Sequence, residues 1–303
     1  MSNKIIIAGG SGVLGNLLVE AYGKAGREVV VLSRSVPSES EETRYVAWDG
    51  CTVGEWTREL EGALAVINLA GRSIHTRFTA KNRREIRESR VQSTAVIGEA
   101  IHRCSRPPKV WINAGGISIY EPSDVLRTEA DVPDGTGFLA GISKAWEAVF
   151  AEADTPVTRK LQLRISSVLT SKGGMLFPLV KLTKLRLGGT IGSGRQYISW
   201  IHEQDFVKLV DWCIRSRNVQ GVLHASGPNP TQNKDFMRGL RNRLSVSFGV
   251  PNYEWSTKIG AWLIGTEPEL ALSGHRVVSH ILQEEEFTFD FPELQDALHN
   301  LML

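Results

Sequence analysis

The sequence predicts the α/β class, with a doubly wound parallel sheet, on three observations. Short β-branched runs alternate with helical patterns through the first half of the chain. A glycine-rich turn, AGGSGVLG, ends the first run and opens the first helix. The composition, 42% hydrophobic and 22% charged over 303 residues, is that of a globular protein with one large core or two modest ones.

The elements follow in order. KIIIA (4–8) and EVVVLS (28–33) are rich in Ile and Val, as buried parallel strands are. The core of ALAVINLA (63–70) and KVWIN (109–113) repeat this, and LQLRI (161–165) reads as a sixth strand. Between them Leu14, Leu17, Leu18, Ala21 and Ala25 mark one helical face, and Ile97, Ala100, Ile101 and Cys104 another. Strands alternating with helices imply parallel βαβ units, the Rossmann arrangement. After about residue 170 glycine clusters appear, at Gly173–Gly174, Gly188–Gly189, Gly192 and Gly194. Helical stretches at 203–216, 232–244 and 292–302 then dominate. The expected division is a nucleotide-binding domain, 1–170, and a smaller, mostly helical C-terminal region, 171–303. Part of 195–228 is expected to return to the first domain.

Charge and cysteines limit the partners. Net charge is +2, from 35 basic and 33 acidic residues, so neither nucleic acid nor a membrane is demanded. Arg77, Lys81, Arg83, Arg84, Arg87 and Arg90 read mostly as a solvated helix face. Cys51, Cys104 and Cys213 are odd in number and far apart, which argues against a disulfide framework and for a reducing compartment, the cytoplasm. MSNKIIIAGG shows no secretory pattern, and no apolar run reaches the length of a membrane span. The seven histidines lack ligand spacing, so no metal is expected. A monomer or homodimer is anticipated.

The turn after the first strand comprises Gly9, Gly10, Ser11, Gly12, Val13, Leu14 and Gly15. One glycine permits the tight turn, one the approach of a diphosphate, and one the packing of helix on strand. The helix N-terminus supplies free N–H groups for the anion. The second strand ends in Ser33 and Arg34, where an NAD-binding chain usually places an acid. Arg34 suits a 2′-phosphate, so NADP, as NADPH, is expected over NADH. Glu39, Glu41 and Glu42 stand too far along the loop to substitute for a strand-end acid.

These residues resemble the extended short-chain dehydrogenase/reductases. Asn68-Leu69-Ala70-Gly71 is similar to that family's fourth-strand motif along the cofactor, and Asp49, in YVAWDG, to the acid after its third strand, beside adenine. INLAG, EIRESRVQST and LGGTIGSGRQYISWIH resemble the atypical, epimerase-like branch, and LALSGHRV with FTFDFPELQDAL its short C-terminal domain. The likeness runs nearly end to end. It implies cofactor contacts at Glu85, Arg90 and Val168, and a substrate that is a carbonyl compound or nucleotide-sugar. Within GGTIGSGRQ, Arg195 and Gln196 are the candidates for reading a polar or anionic substrate group. Trp200, Trp255 and Trp262 read as core residues.

The resemblance also implies a Ser/Tyr/Lys catalytic set, with Tyr and Lys one helical turn apart. AGISK matches YGxSK, so Lys144 stands at the lysine position and is expected to hold the nicotinamide ribose. The tyrosine position is Ala140, expected to leave a gap where the ring would stand. The serine position falls on Gly115 or Gly116. A methyl group and two glycines cannot polarise a carbonyl, and a lost general acid costs about 10²- to 10⁴-fold in rate. Ser118 and Tyr120, just after the fifth strand, are the candidate substitutes; Glu147 reads as a helix-surface acid. Two functions remain open: an epimerase-like oxidoreductase with an unconventional proton donor, or an NADP-occupied binding or regulatory protein with little turnover.

Overall fold

The computed structural model describes residues 3–37, 43–258 and 267–302. Glu39, Glu41, Glu42 and Trp262 lie outside the described residues. The first part of the chain reads β1 (Lys4–Ala8), α1 (Val13–Lys24), β2 (Glu28–Ser33), β3 (Arg44–Ala47), β4 (Ala65–Asn68), α2 (Ala80–His102) and β5 (Val110–Gly116). Next come β6 (Ser123–Arg127), α3 (Phe138–Glu152), β7 (Arg159–Ile165), β8 (Ser167–Leu169) and α4 (Leu176–Lys184). The remainder holds β9 (Tyr197–Ile198), β10 (Trp200–His202), α5 (Glu203–Arg215), β11 (Gly221–Ala225), β12 (Thr231–Gln232), α6 (Asn233–Arg243) and β13 (His275–Val277).

Seven strands form one parallel sheet in the order β11-β7-β5-β4-β1-β2-β3. The chain starts at β1, winds outward through β2 and β3, then crosses to β4 on the other side. That reversal opens a crevice at the C-terminal ends of β1 and β4, where such sheets bind ligands. Each face carries its own apolar layer. On one, Leu17 and Leu18 of α1 and Phe206 and Leu209 of α5 cover Ile5, Ile7 and Val31. On the other, Val96 and Ile97 of α2 and Phe150 of α3 cover Ile6, Val30 and Trp111. Strand β11 joins the sheet beside β7, so the chain returns to the first layer after residue 200.

A third cluster joins Leu169 and Trp200 to α6 and the helix Leu294–Leu301. The buried Asp205 carboxylate accepts the backbone N–H groups of Asp290 (2.7 Å) and Phe291 (3.0 Å). The His202 ring lies on Phe291, with centroids 4.0 Å apart, and burial pushes its pKa down to about 4. WIHEQD thus clamps the C-terminal segment to the sheet. Trp200 is core, but Trp255 is 66% exposed, contrary to expectation, because it stands on the surface segment after α6.

Helix α3 packs against both α2 and β5, so more of its circumference is covered than its apolar stripe predicts. Leu139, Ile142, Trp146, Val149 and Phe150 do face inward to varying degree, but Ala140 and Ser143 are buried as well. Lys144 is exposed and Glu147 half-buried.

Candidate nucleotide-binding and catalytic site

The glycine turn is built by exclusion of side chains. Gly9 has φ +80°, and a Cβ there would lie 2.8 Å from the Leu69 carbonyl carbon. A Cβ on Gly10 would meet Val31 at 2.6 Å, and one on Gly15 would meet the Gly9 oxygen at 2.4 Å. Gly12 differs: its nearest neighbour would be the Gly9 oxygen at 3.4 Å, an ordinary contact. Gly12 caps α1 and is exposed with Ser11 and Val13, while Leu14 is half-buried. Three glycines therefore shape the turn, and Gly12 leaves its outer surface open.

At the end of β2, Ser33 is buried and Arg34 exposed. Asp49 is committed to its own turn. Its Oδ1 accepts the N–H groups of Cys51 and Thr52 (both 2.8 Å) and its Oδ2 the Thr52 hydroxyl (2.6 Å). The Thr52 hydroxyl, then those amides, hold its pKa below the usual carboxylate range. Leu69 and Ala70 are half-buried and Gly71 exposed at the end of β4. Arg90 packs beneath Gly71: its guanidinium donates to the carbonyls of Arg72 (2.9 Å) and Ile86 (3.0 Å) and lies 5.2 Å from the Trp146 ring. Burial pushes its pKa down to about 10. Glu85 is paired with Arg72 and Lys81, beside the same turn. Val168 is buried in β8, against Ile201 of β10.

A row of amides crosses the sheet below this crevice, on the face toward α2 and α3. Asn68, Asn113 and Gln162 are register partners on β4, β5 and β7. Their orientation is set from one end, because a backbone N–H can only donate. Ala70 N–H donates to Asn68 Oδ1 (3.1 Å), so Asn68 Nδ2 donates to Asn113 Oδ1 (2.8 Å). Asn113 Nδ2 then donates to Gln162 Oε1 (3.1 Å). Gln162 Nε2 ends the row, buried and without a hydrogen-bond partner among the described residues.

That nitrogen lies at Gly115, one of the two positions expected for the serine. A Cβ on Gly115 would be 2.4 Å from Gln162 Nε2. Gly115 is therefore the residue that Gln162 admits. Gly115→Ser is expected to lose about 1–3 kcal/mol of stability by overpacking, read as a lower urea midpoint. Adding Gln162→Ala should recover most of that loss; a single variant with the parent midpoint would mean that the Gln162 side chain does not hold this position.

The next row upward pairs Gly115, Arg164 and His224. Arg164 donates from Nε to Glu147 Oε1 (2.9 Å), from Nη2 to Oε2 (2.8 Å), and from Nη1 to the Tyr120 hydroxyl (2.6 Å). Burial works against the guanidinium charge, but the Glu147 carboxylate and Tyr120 outweigh it and raise its pKa. Glu147 is thus no surface acid; it is the counter-ion of a buried arginine.

Tyr120 requires a correction. Its hydroxyl is buried among Arg164, the Thr128 carbonyl (3.0 Å) and His224 Nε2 (2.9 Å), and burial pushes its pKa up. It is a packing hub and not a free proton donor. Ser118 is better exposed, and its Oγ lies 3.4 Å from Ser143 Oγ beside Gly116 and one residue from Lys144. The Ala140 gap is also corrected. Ala140 is buried, and its Cβ lies so close to the Gly135 backbone that a Cβ on Gly135 would sit 2.7 Å away. Gln196 turns inward: its amide donates to the carbonyls of Ile191 (2.9 Å) and Ala271 (3.5 Å), which fixes the loop instead of offering it to a ligand. Arg195 is exposed.

Sequence reasoning does not single out Gln162, Arg164 or His224. A signal exists for two of them: in LQLRI polar residues alternate with leucines, which marks a strand with one polar face.

Comparison with known proteins identifies the family and agrees with the fold. A model of the NAD dependent epimerase/dehydratase family matches residues 5–223, and one of a domain of unknown function matches residues 257–301. An epimerase family protein of Staphylococcus saprophyticus is 31% identical over 302 residues, 98% of each chain. The Bos taurus epimerase family protein SDR39U1 is 29% identical and covers 99% of each chain. The crystal structure of human SDR39U1 with NADPH superposes with a TM-score of 0.88 at 26% identity, covering 98% of each chain. A Bacillus cereus UDP-glucuronic acid 4-epimerase with NAD shares the fold at a TM-score of 0.78 and 15% identity, covering 98% of this chain and 97% of the other.

Proposed function

Because the chain belongs to the NAD dependent epimerase/dehydratase family, we propose that it is an NADP-binding, epimerase-like oxidoreductase whose usual Ser and Tyr are absent. The observation that carries the cofactor choice is the exposed Arg34 at the end of β2, next to the glycine turn and with no acid at that strand end. Gly9, Gly10, Ser11, Gly12 and the start of α1 would hold the diphosphate, with Arg34 on the 2′-phosphate and Asn68–Gly71 along the cofactor. Bound there, the nicotinamide supplies hydride to a carbonyl carbon or accepts it from an alcohol. Lys144, exposed one turn before Glu147, would hold the ribose. Ser118, with the Ser143 hydroxyl 3.4 Å away, would orient a substrate oxygen. Arg195 remains a candidate for an anionic substrate group.

The substrate class we favour is a carbonyl compound or nucleotide-sugar; the Bacillus cereus neighbour holds UDP-glucuronic acid. The three cysteines are odd in number and far apart, which favours a reducing compartment, and we place the protein in the cytoplasm. No helix among the described residues is long and apolar enough to cross a membrane.

Calorimetric titration tests the cofactor reading. NADPH should bind more tightly than NADH by about 10- to 100-fold, since a charge-assisted hydrogen bond contributes about 1.5–3 kcal/mol. Arg34→Asp should reverse the order. Equal affinities in the parent protein would remove the claim.

A second reading, an NADP-occupied binding or regulatory protein, is favoured by one observation. Ala140, at the Tyr position, is buried against Gly135, and at Gly115, one of the two Ser positions, a side chain would meet Gln162. NADPH oxidation assayed with quinones, and NADP+ reduction and epimer formation assayed with UDP-sugars, separate the two readings: turnover supports the first, and tight binding without turnover the second.

A further inference from the structure

We propose that the face formed by the end of α4 and the segment 248–255 docks on an anionic lipid surface. The residues after α4 leave their apolar side chains in solvent. Leu185 is 69% exposed and Leu187 42%. Phe248 beside them is 51% exposed. The two segments are held together: Val250 N–H donates to the Arg186 carbonyl (2.8 Å), and Asn252 Nδ2 to the Leu187 carbonyl (2.7 Å). Gly188 and Gly189 lock the turn, since a Cβ on Gly189 would meet the Val250 oxygen at 2.2 Å. The patch is therefore a built surface.

The backbone presents it deliberately. Arg186 has φ +62°, a left-handed conformation that a helix end normally gives to glycine. Its N–H donates to the Thr183 carbonyl (2.9 Å) and the next N–H to the Leu182 carbonyl (2.9 Å), closing the helix. A non-glycine residue kept there stores local strain. Here it turns Leu185 and Leu187 outward, with the Arg186 guanidinium 5.2 Å from the Phe248 ring.

Charge selects the occupant. No Asp or Glu occurs between Asp154 and Glu203. Lys181, Lys184 and Arg186 rim the leucines, and the one acid of the facing segment, Glu254, is paired with Lys258 at 2.7 Å. Exposed leucines and aromatics within a basic rim match the boundary of an anionic bilayer, where acyl chains lie beneath phosphates. The expectation of no membrane partner rests on the near-balanced net charge and the lack of a spanning segment; this contact uses a local basic rim and lies flat on the surface, so it needs neither a large net charge nor a span.

The test is co-sedimentation of the full chain with phosphatidylcholine vesicles, with and without phosphatidylserine. Binding is expected only with phosphatidylserine and should weaken as salt rises. Lys181→Gln and Lys184→Gln should each lower the partition coefficient about fivefold. Leu185→Glu should abolish binding while circular dichroism and NADPH affinity stay at parent values. No sedimentation with either vesicle, or binding that Leu185→Glu leaves intact, overturns the proposal. So does a parent dimer in the ultracentrifuge that Leu185→Glu dissociates without any vesicle binding, which would make the patch an interface between copies.

Discussion

Gly12→Val should abolish NADPH binding and leave the fold intact. The two outcomes separate because of what surrounds the four glycines. At Gly9, Gly10 and Gly15 a methyl group would stand under 3 Å from its nearest neighbours, so a side chain there breaks the turn itself. At Gly12 the methyl would have room, and branches beyond it would project from the open side of the helix N-terminus. A diphosphate must approach that backbone closely to reach the free N–H groups. Loss of that approach is expected to weaken binding by at least about 100-fold, equivalent to ~2.7 kcal/mol. Fluorescence titration with NADPH gives the affinity, and far-UV circular dichroism with a thermal melt gives the fold. Unchanged affinity would show that the diphosphate does not lie on this turn.

Glu147→Ala should be among the most destabilising single changes in the chain. It leaves the Arg164 guanidinium, whose side chain is 5% exposed, without its two-point partner. Breaking a buried ion pair from one side costs about 3–5 kcal/mol, because the remaining charge stays desolvated. Glu147→Gln keeps the shape and one acceptor and should cost less. The double change Glu147→Leu with Arg164→Met should recover much of the loss, since replacing both charges by apolar groups is often neutral. Urea unfolding gives all three values. A Glu147→Ala protein within about 1 kcal/mol of the parent would mean that water or another group already solvates Arg164.

The pair shows where a reading of the sequence stops. Helical spacing places Lys144 off the apolar stripe of α3, and it is exposed. The same helical angle groups Ala140 and Glu147 with it, yet one is buried on Gly135 and the other is bonded to Arg164. The angle is right; the surroundings are not in it. A helix wheel describes one element, and α3 is covered from two directions by α2 and β5.

What the sequence determined by itself is local. β-branched runs specify buried parallel strands, and the glycines at 9, 12 and 15 specify a turn between strand and helix, because each depends on conformations within a few residues. The family followed from such strings, and the matches over residues 5–223 and 257–301 agree with it. The tertiary structure alone decided what surrounds the positions where the family resemblance expects catalytic residues. Gln162 reaches Gly115 from the neighbouring strand, Arg164 takes Glu147 from a helix 17 residues away, and Tyr120 meets His224 across 104 residues. Each side chain has ordinary local propensities. Its role comes from which donor, acceptor or volume the sheet register sets opposite it, and burial makes that choice costly to leave unmet.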